Sequence, residues 1–478
     1  MMNQYLTKNA NTPFKFKLTS FIIPVVLMTG CKSVSHDYQR PMIELPSQYT
    51  AQTQVSEANI SKSWWTLYED TVLNSLVEKS LKNNVDIKMA VARIEEAQAA
   101  EREIGAASLP QVDVSASANR SRVTEAGVAE DVINNPRNNF KAQLGTSFEL
   151  DFWGKLQRAK ESARAQALST SYAKDTVALS LSGLVVNQYL VLRSLDSQIA
   201  LSQENLKIRN ESLALTQRRL DGGIASILDV HQAEVASANL AAQIAELTRQ
   251  RSLSLHQLAL LTGDLNLSIA AADIQTLPIP PVPPAGLPSR LLEMRPDIQQ
   301  TEQQMIAANA NFGVAKAALY PTISLTANLG GESLELGDIL KSAARIWTGG
   351  LSLNLPIFDS GKRNARLDQA SAKQKQALAN YESAIQHAFV EVNDALINLR
   401  QLTERETALK VSEASAKKAL EIAKNRYQAG YSAYLDVLDA QRVHNETALT
   451  FLQSRQARLS ASVALFKALG GGWHPQTN

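Results

Sequence analysis

The chain has 478 residues, with 48 Lys and Arg against 46 Asp and Glu and a formal net charge of +2. That balance removes a reason to expect nucleic acid, whose binding depends on clustered positive charge. With one cysteine and six histidines, an intrachain disulfide is impossible and a zinc site is short of ligands. After the N-terminus no run of about 18 apolar residues offers a spanning helix.

Residues 1–17 carry Lys8, Lys15 and Lys17 and no acid, and 18–30 read LTSFIIPVVLMTG, a short apolar stretch closed by small residues. This is the layout of a secretory signal. It runs into Leu27-Met28-Thr29-Gly30-Cys31, which resembles the lipobox of bacterial lipoproteins, with Met28 where Leu is usual. The resemblance implies cleavage before Cys31 and a covalent lipid on it. Lys32 in place of Asp points to the outer membrane, where several acyl chains would hold the protein stably. Residues 31–82 then read as a lipidated N-terminal segment, with Trp64 and Trp65 as packing residues.

Helix breakers punctuate the rest. Proline is absent from 137–277 and 357–474, 155–221 holds only Gly183, and 362–429 holds no glycine. Each long stretch predicts a helix of roughly 100 Å at 1.5 Å per residue. Shorter helices are expected over 83–107, 224–262 and 431–469. Asp221-Gly222-Gly223 and Ala429-Gly430 supply the intervening turns. Within the second long stretch, Leu378, Tyr381, Ile385, Ala388, Val392, Ala395, Leu399 and Leu402 form a heptad seam that predicts knobs-into-holes packing. The first long stretch has Val177, Leu181, Leu184, Val191 and Leu195, interrupted by Gln188.

Two hairpins have period two instead. In the first (111–152), Val112, Val114, Ala116 and Ala118 alternate with Asp113, Ser115 and Ser117, and Phe140 to Phe152 alternate with polar residues. The second (322–357) places Ile323, Leu325, Ala327 and Leu329 against Leu351, Leu353, Leu355 and Ile357. Length and alternation suit transmembrane β-strands. Loops 120–139 and 331–345 are the expected external tips.

These elements recur. Asp86-Ile87 and Leu109-Pro110 match Asp297-Ile298 and Tyr320-Pro321 at an offset of 211. Gly154-Lys155, Gly223, Leu228-Asp229-Val230 and Gly263 match Gly361-Lys362, Gly430, Leu435-Asp436-Val437 and Gly470 at 207. The chain is therefore a tandem repeat, 83–277 and 289–470, joined by the proline-rich 278–288 and followed by a tail at 471–478. Two repeats supply four membrane-type strands, whereas a closed barrel needs about eight or more. The chain must oligomerise; a dimer gives eight strands and a trimer twelve.

The residues resemble the TolC-like outer-membrane factors, in the lipoprotein branch that serves tripartite efflux pumps. The resemblance rests on Asp37-Tyr38-Gln39-Arg40-Pro41, Trp64-Trp65, ELDFWGK at 149–155 and GLPSRLLEMRPDI at 286–298. It continues through AALYP at 317–321, RYQAGYSAYLDVLDAQR at 426–442 and LGGGW at 469–473. It implies a fold that is part all-α and part transmembrane β: a homotrimeric twelve-stranded barrel in the outer membrane, continued by a twelve-helix periplasmic α-barrel with a mixed equatorial belt around it, to which 31–82 would belong. It implies a passive exit duct, not an enzyme, with no cofactor beyond the lipid on Cys31. The expected partners are outer-membrane lipid, a periplasmic adaptor (membrane fusion protein) and an inner-membrane RND-type transporter. In this family's topology the shorter helices stack end to end beside the long one.

A duct needs a gate and a docking surface. Leu435, Asp436 and Asp439 fall on positions resembling the apolar and acidic constrictions of the family, and threefold symmetry would turn each into a ring. Helix-dipole capping accounts equally for Asp436, as it does for its counterpart Asp229; Gln232 stands at the Asp439 position. The turns holding Arg219, Asp221, Gly223, Arg426 and Gly430 are candidates for adaptor docking, or are ordinary helix ends. No HExxH, GxxxxGK[ST] or GxSxG occurs, and His231, His256, His387 and His444 form no metal pair. A protein-secretion duct and a lipid-anchored coiled-coil scaffold are the alternatives, the scaffold leaving the four strands unexplained.

Overall fold

The computed structural model describes residues 34, 36–49, 61–122, 124, 136–282, 289 and 291–472. The signal segment, Cys31, the tip of the first hairpin, 283–288 and the tail after 472 lie outside the described residues.

The first half opens with a short 3-10 helix at Trp64–Tyr68 and helices α1 (Thr71–Asn83) and α2 (Val85–Ala106). Strands β1 (Gln111–Ser121) and β2 (Arg137–Leu150) follow, then α3 (Lys155–Asp221) and α4 (Ile227–Thr262). The second half has α5 (Leu291–Met294), α6 (Pro296–Ala317), β3 (Thr322–Ser333), β4 (Arg345–Asn354), α7 (Lys362–Gln428) and α8 (Tyr434–Ala468). Both long helices have 67 residues, about 100 Å of rise. Each is entered through a left-handed glycine, Gly154 (φ 75°) or Gly361 (φ 81°).

The short helices meet end to end beside their long partner. Asn84 caps α2 by accepting from the Asp86 amide at 2.8 Å, while its amide group donates to the Leu261 carbonyl at the end of α4 at 3.0 Å. In the second half Arg295, at the start of α6, donates to the Ala468 carbonyl at the end of α8 at 3.0 Å. Both junctions satisfy carbonyls that a helix end leaves open.

The strands form one antiparallel sheet in the order β1-β2-β3-β4. Val114 is paired with Leu144, Leu144 with Leu329 and Leu329 with Trp347, so one face is apolar. The other face carries Ser115, Gln143, Ser324, Asn328, Thr348 and Ser352. Apolar side chains stand open on the first face, with Val114 80% and Trp347 79% exposed. β1 and β4 are unpaired edges.

The main core lies midway along the helices. The seam of α7 holds as predicted, Tyr381, Ile385, Ala388, Val392, Ala395 and Leu399 all being buried, with α7 packed on α6 and α8. In α3 the core takes Leu181, Val185, Val186, Tyr189, Leu190 and Leu192, and Leu195 is buried as expected, whereas Leu184, also expected in the seam, faces outward. Gln188 donates to Ser254 at 2.8 Å instead of packing. This stretch of α3 is apolar enough to cross a membrane by composition, but it is where the core closes. Trp64 stacks on Phe466 with centroids 5.4 Å apart.

Several boundaries differ from expectation. The shorter helices begin at Ile227 and Tyr434, three residues late, because the reversing turns run on past the glycines before the next helix starts. Strands run into both expected loops, to Ser121 and from Arg137, and to Ser333 and from Arg345, since backbone pairing continues past the alternating region. Leu355 and Ile357 lie beyond β4. The chain before the proline-rich join is no free spacer, as Ile269, Ile274 and Leu277 are buried in the core. Its carbonyls are held by Arg193, Arg251 and Arg455, through Ala270 (2.8 Å), Ile269 (3.0 Å) and Leu277 (2.7 Å).

Candidate functional site

The two helix reversals come together at the end opposite the sheet. Gly223 (φ 72°) and Gly430 (φ 81°) are left-handed. The amides of Ile224 and Tyr431 donate to the carbonyls of Arg219 and Arg426 at 2.8 and 2.9 Å, closing α3 and α7. The helices that follow start differently. Ser226 accepts from the Leu228 amide at 3.1 Å and Asp229 accepts from the Ser226 amide at 3.2 Å, a complete capping box. At the matching position α8 has Ala433, which provides no side-chain cap. Asp436 therefore has no reciprocal bond, and its carboxylate makes no hydrogen bond or ion pair among the described residues.

At this end α4 and α8 border a groove of about 660 Å³, and repeat-related residues share its lining: Leu228 with Leu435, and Gln232 with Asp439. Leu228 and Leu435 are exposed. Asp439 accepts from Arg442 at 2.9 Å, and Arg442 reaches on to Glu446 at 3.4 Å. The groove thus carries an apolar pair, then a polar pair whose acid is partly neutralised. Behind it Tyr434, Val437 and Ala233 form a small apolar cluster.

The candidate docking turns are unequal. The Arg219 guanidinium lies over the Tyr427 ring, 4.6 Å from its centroid, and Tyr427 packs on Tyr434 at 5.4 Å. Asp221 accepts from Gln217 at 3.1 Å. Arg426 is exposed and has no side-chain partner among the described residues. Sequence reasoning missed the stacking of Arg219, because nothing local in either turn shows that the two reversals lie side by side.

At the other end, motifs distant in sequence converge beneath the sheet. Trp153 donates to the Pro321 carbonyl at 2.7 Å and stacks on Tyr320 at 4.9 Å. The segment 36–49 is strapped alongside: Asp37 pairs with Arg158 at 2.6 Å, and Arg40 grips Glu302 with two bonds of 2.7 and 2.6 Å. Tyr38 donates to Glu302 at 3.2 Å, and burial with that carboxylate holds its phenol well above the ordinary range.

Histidines form local pairs, His231 with Glu234 at 2.9 Å and His444 with Glu413 at 3.6 Å. No cluster of three or more potential metal ligands occurs among the described residues.

The outer membrane efflux protein family matches residues 76–264 and 287–471, one segment in each repeat. The chain belongs to the outer membrane efflux protein family. It is 32% identical over 462 residues to the cation efflux system protein CusC of Escherichia coli O6:H1, covering 96% of this chain and 99% of that one. It is 31% identical over 466 residues to the probable outer membrane lipoprotein SilC of Salmonella typhimurium, covering 96% and 99%. The crystal structure of the open state of the Neisseria gonorrhoeae MtrE outer membrane channel superposes with a TM-score of 0.84 at 30% identity, over 92% of this chain and 98% of that one. As an outer membrane efflux protein, the chain has its amphipathic sheet as the membrane part, with the groove between α4 and α8 at the opposite end.

Proposed function

We propose that three copies of this chain close a twelve-stranded barrel in the outer membrane and a twelve-helix tunnel beneath it, forming the exit duct of a tripartite efflux pump. The observation that carries this reading is the sheet: four strands with one exposed apolar face and two open edges, continuous with helices of about 100 Å. In hydrocarbon each unpaired edge group costs several kcal/mol, so the edges must be closed by other copies. In this reading lipid on Cys31 anchors the complex. Asp37, six residues on, is held at the start of α3, and six extended residues reach at most about 20 Å, which brings the lipid to the membrane end.

At the periplasmic tip, rings of Leu435 obstruct passage, while rings of Asp436 and Asp439 favour cations. The turns with Arg219, Asp221, Gly223, Arg426 and Gly430 receive a periplasmic adaptor, and an inner-membrane RND-type transporter supplies the energy. The duct itself needs no nucleophile.

Single-channel conductance in a planar bilayer tests this. Wild type should show a small, cation-preferring conductance that rises in Leu435→Ala and loses selectivity in Asp439→Ala. A conducting protein indifferent to both would remove the gate assignment. A folded, membrane-inserted trimer that never conducts would leave the scaffold reading.

A further inference from the structure

Beneath the sheet, the start of α3, the end of α6 and the start of α7 border a second groove, of about 680 Å³. Its charge is of one sign. Lys155, Arg363, Arg366 and Lys373 line it, and no Asp or Glu does. Two of these cations are answered from beyond the groove, Lys155 by Glu149 at 3.0 Å and Arg363 by Asp359 at 3.0 Å. Arg366 and Lys373 are exposed and have no side-chain partner among the described residues. They stand seven residues apart on one face of α7, about 10 Å along its axis, with Ala370 between them. Across the groove α6 presents Ala308 and Ala315, beside the amide side chains of Gln304 and Asn311. The middle of the groove is therefore apolar, with a free positive charge towards each end and neutral donors alongside.

The groove faces the bore of the proposed duct. Glu149, which holds Lys155, is paired with Ser324 on the polar face of the sheet, and in a membrane barrel that face lines the lumen. The strap 36–49 agrees. Arg40 grips Glu302, and Glu302 is nine residues from Asn311, or two and a half turns, so strap and groove lie on opposite sides of α6. A strap that descends from a lipid in the bilayer runs over the outer surface, which leaves the groove inside.

We propose that this groove is a binding site within the tunnel for organic dianions, in which two acid groups are separated by an apolar body. This rests on the oligomeric duct proposed above. One acid group pairs with Arg366 and the other with Lys373, while the apolar body lies over Ala370, Ala308 and Ala315. Arg366 offers a planar fork that matches a carboxylate, and Lys373 a mobile point charge. Neither gives up a contact within the chain to engage a ligand, and the amides of Gln304 and Asn311 can donate to the remaining acceptor oxygens. A monoanion reaches only one of the two cations, and a cationic solute is repelled. In this reading the acidic tip and the basic groove favour opposite charges at the two ends of the helical tunnel.

The test uses the full-length lipoprotein in phosphatidylcholine nanodiscs, titrated in a calorimeter with terephthalate, an aromatic ring with a carboxylate at each end. Wild type should bind it, with benzoate bound roughly tenfold more weakly. R366Q and K373Q should each weaken terephthalate by roughly tenfold, since each removes one charge-assisted contact. In a planar bilayer, terephthalate added on the side of the sheet should lower the wild-type current reversibly, and each variant should need roughly tenfold more of it. No binding to wild type, equal affinity in wild type and both variants, or equal affinity for terephthalate and benzoate would overturn the site. Binding that leaves the current of a conducting channel unchanged would overturn its place in the tunnel. A wild type that never conducts would instead sink the duct itself, whatever it binds.

Discussion

Two glycines with nearly the same backbone make a sharp test of how the end of α8 is wedged against the junction of α5 and α6. Gly470 (φ 87°) and Gly430 (φ 81°) are both left-handed, so replacing either with Ala incurs the same conformational penalty, about 1–2 kcal/mol. Their surroundings differ. A Cβ on Gly430 meets nothing within 4 Å, whereas one on Gly470 would stand 2.1 Å from the Met294 carbonyl oxygen and 2.9 Å from its carbon. That backbone would have to retreat by roughly 1 Å, an overpacking cost of about 1–3 kcal/mol. It is not free to move, because the adjacent Arg295 is buried and tied to Ala468 (3.0 Å), Asp297 (2.6 Å) and Glu391 (2.7 Å). Gly430→Ala should therefore cost about 1–2 kcal/mol and Gly470→Ala about 2–5 kcal/mol. Denaturant unfolding followed by circular dichroism measures both. Equal midpoints for the two variants would refute the wedge of Gly470 against α5 and α6.

Further outcomes follow from the buried polar groups. Asp196→Ala leaves Arg251 without its carboxylate and the buried Arg193 with Asp70 alone, at 3.8 Å, and should cost about 3–5 kcal/mol in the same unfolding experiment; a loss below about 1 kcal/mol would show that water replaces the pair. Phe466→Ala removes the ring stacked on Trp64 and should cost about 3–5 kcal/mol, read from the loss of tryptophan burial in fluorescence. Burial raises the phenols of Tyr68 and Tyr189 above their ordinary value near 10. Folding thus favours the protonated form, stability is full below about pH 10, and it falls as pH rises beyond that; phenolate absorbance from these two tyrosines near pH 10 in the folded protein would contradict this. Glu302→Ala deprives Arg40 and Tyr38 of their acceptor, so 36–49 should become sensitive to a broad-specificity protease, and unchanged resistance would argue against the strap.

Much of this was legible in the sequence because it depends on local rules. Breaker-free runs set the limits of α3 and α7, and the heptad of α7 reappears residue by residue in the core. Alternation located four strands, although they ran further at the hairpin tips, since backbone pairing does not stop where the apolar pattern does, and β2 and β4 stopped short of Phe152 and Leu355 at the other end. The acids after Gly430 were found at the tip, but the capping box that binds Asp229 and spares Asp436 was hidden until Ser226 and Ala433 were seen at the two caps.

The amino-acid order by itself determined the repeat, the helix lengths, the amphipathic strands and the need for more than one chain, because periodicity and breakers act over a few residues. The tertiary structure alone decided which distant groups meet: Arg219 over Tyr427, Gly470 against Met294, Arg40 on Glu302, and the stretch 269–277 buried where a spacer follows. Such contacts depend on how segments far apart in the chain pack together. No local pattern encodes that, since burial and charge pairing are settled only when the faces come together.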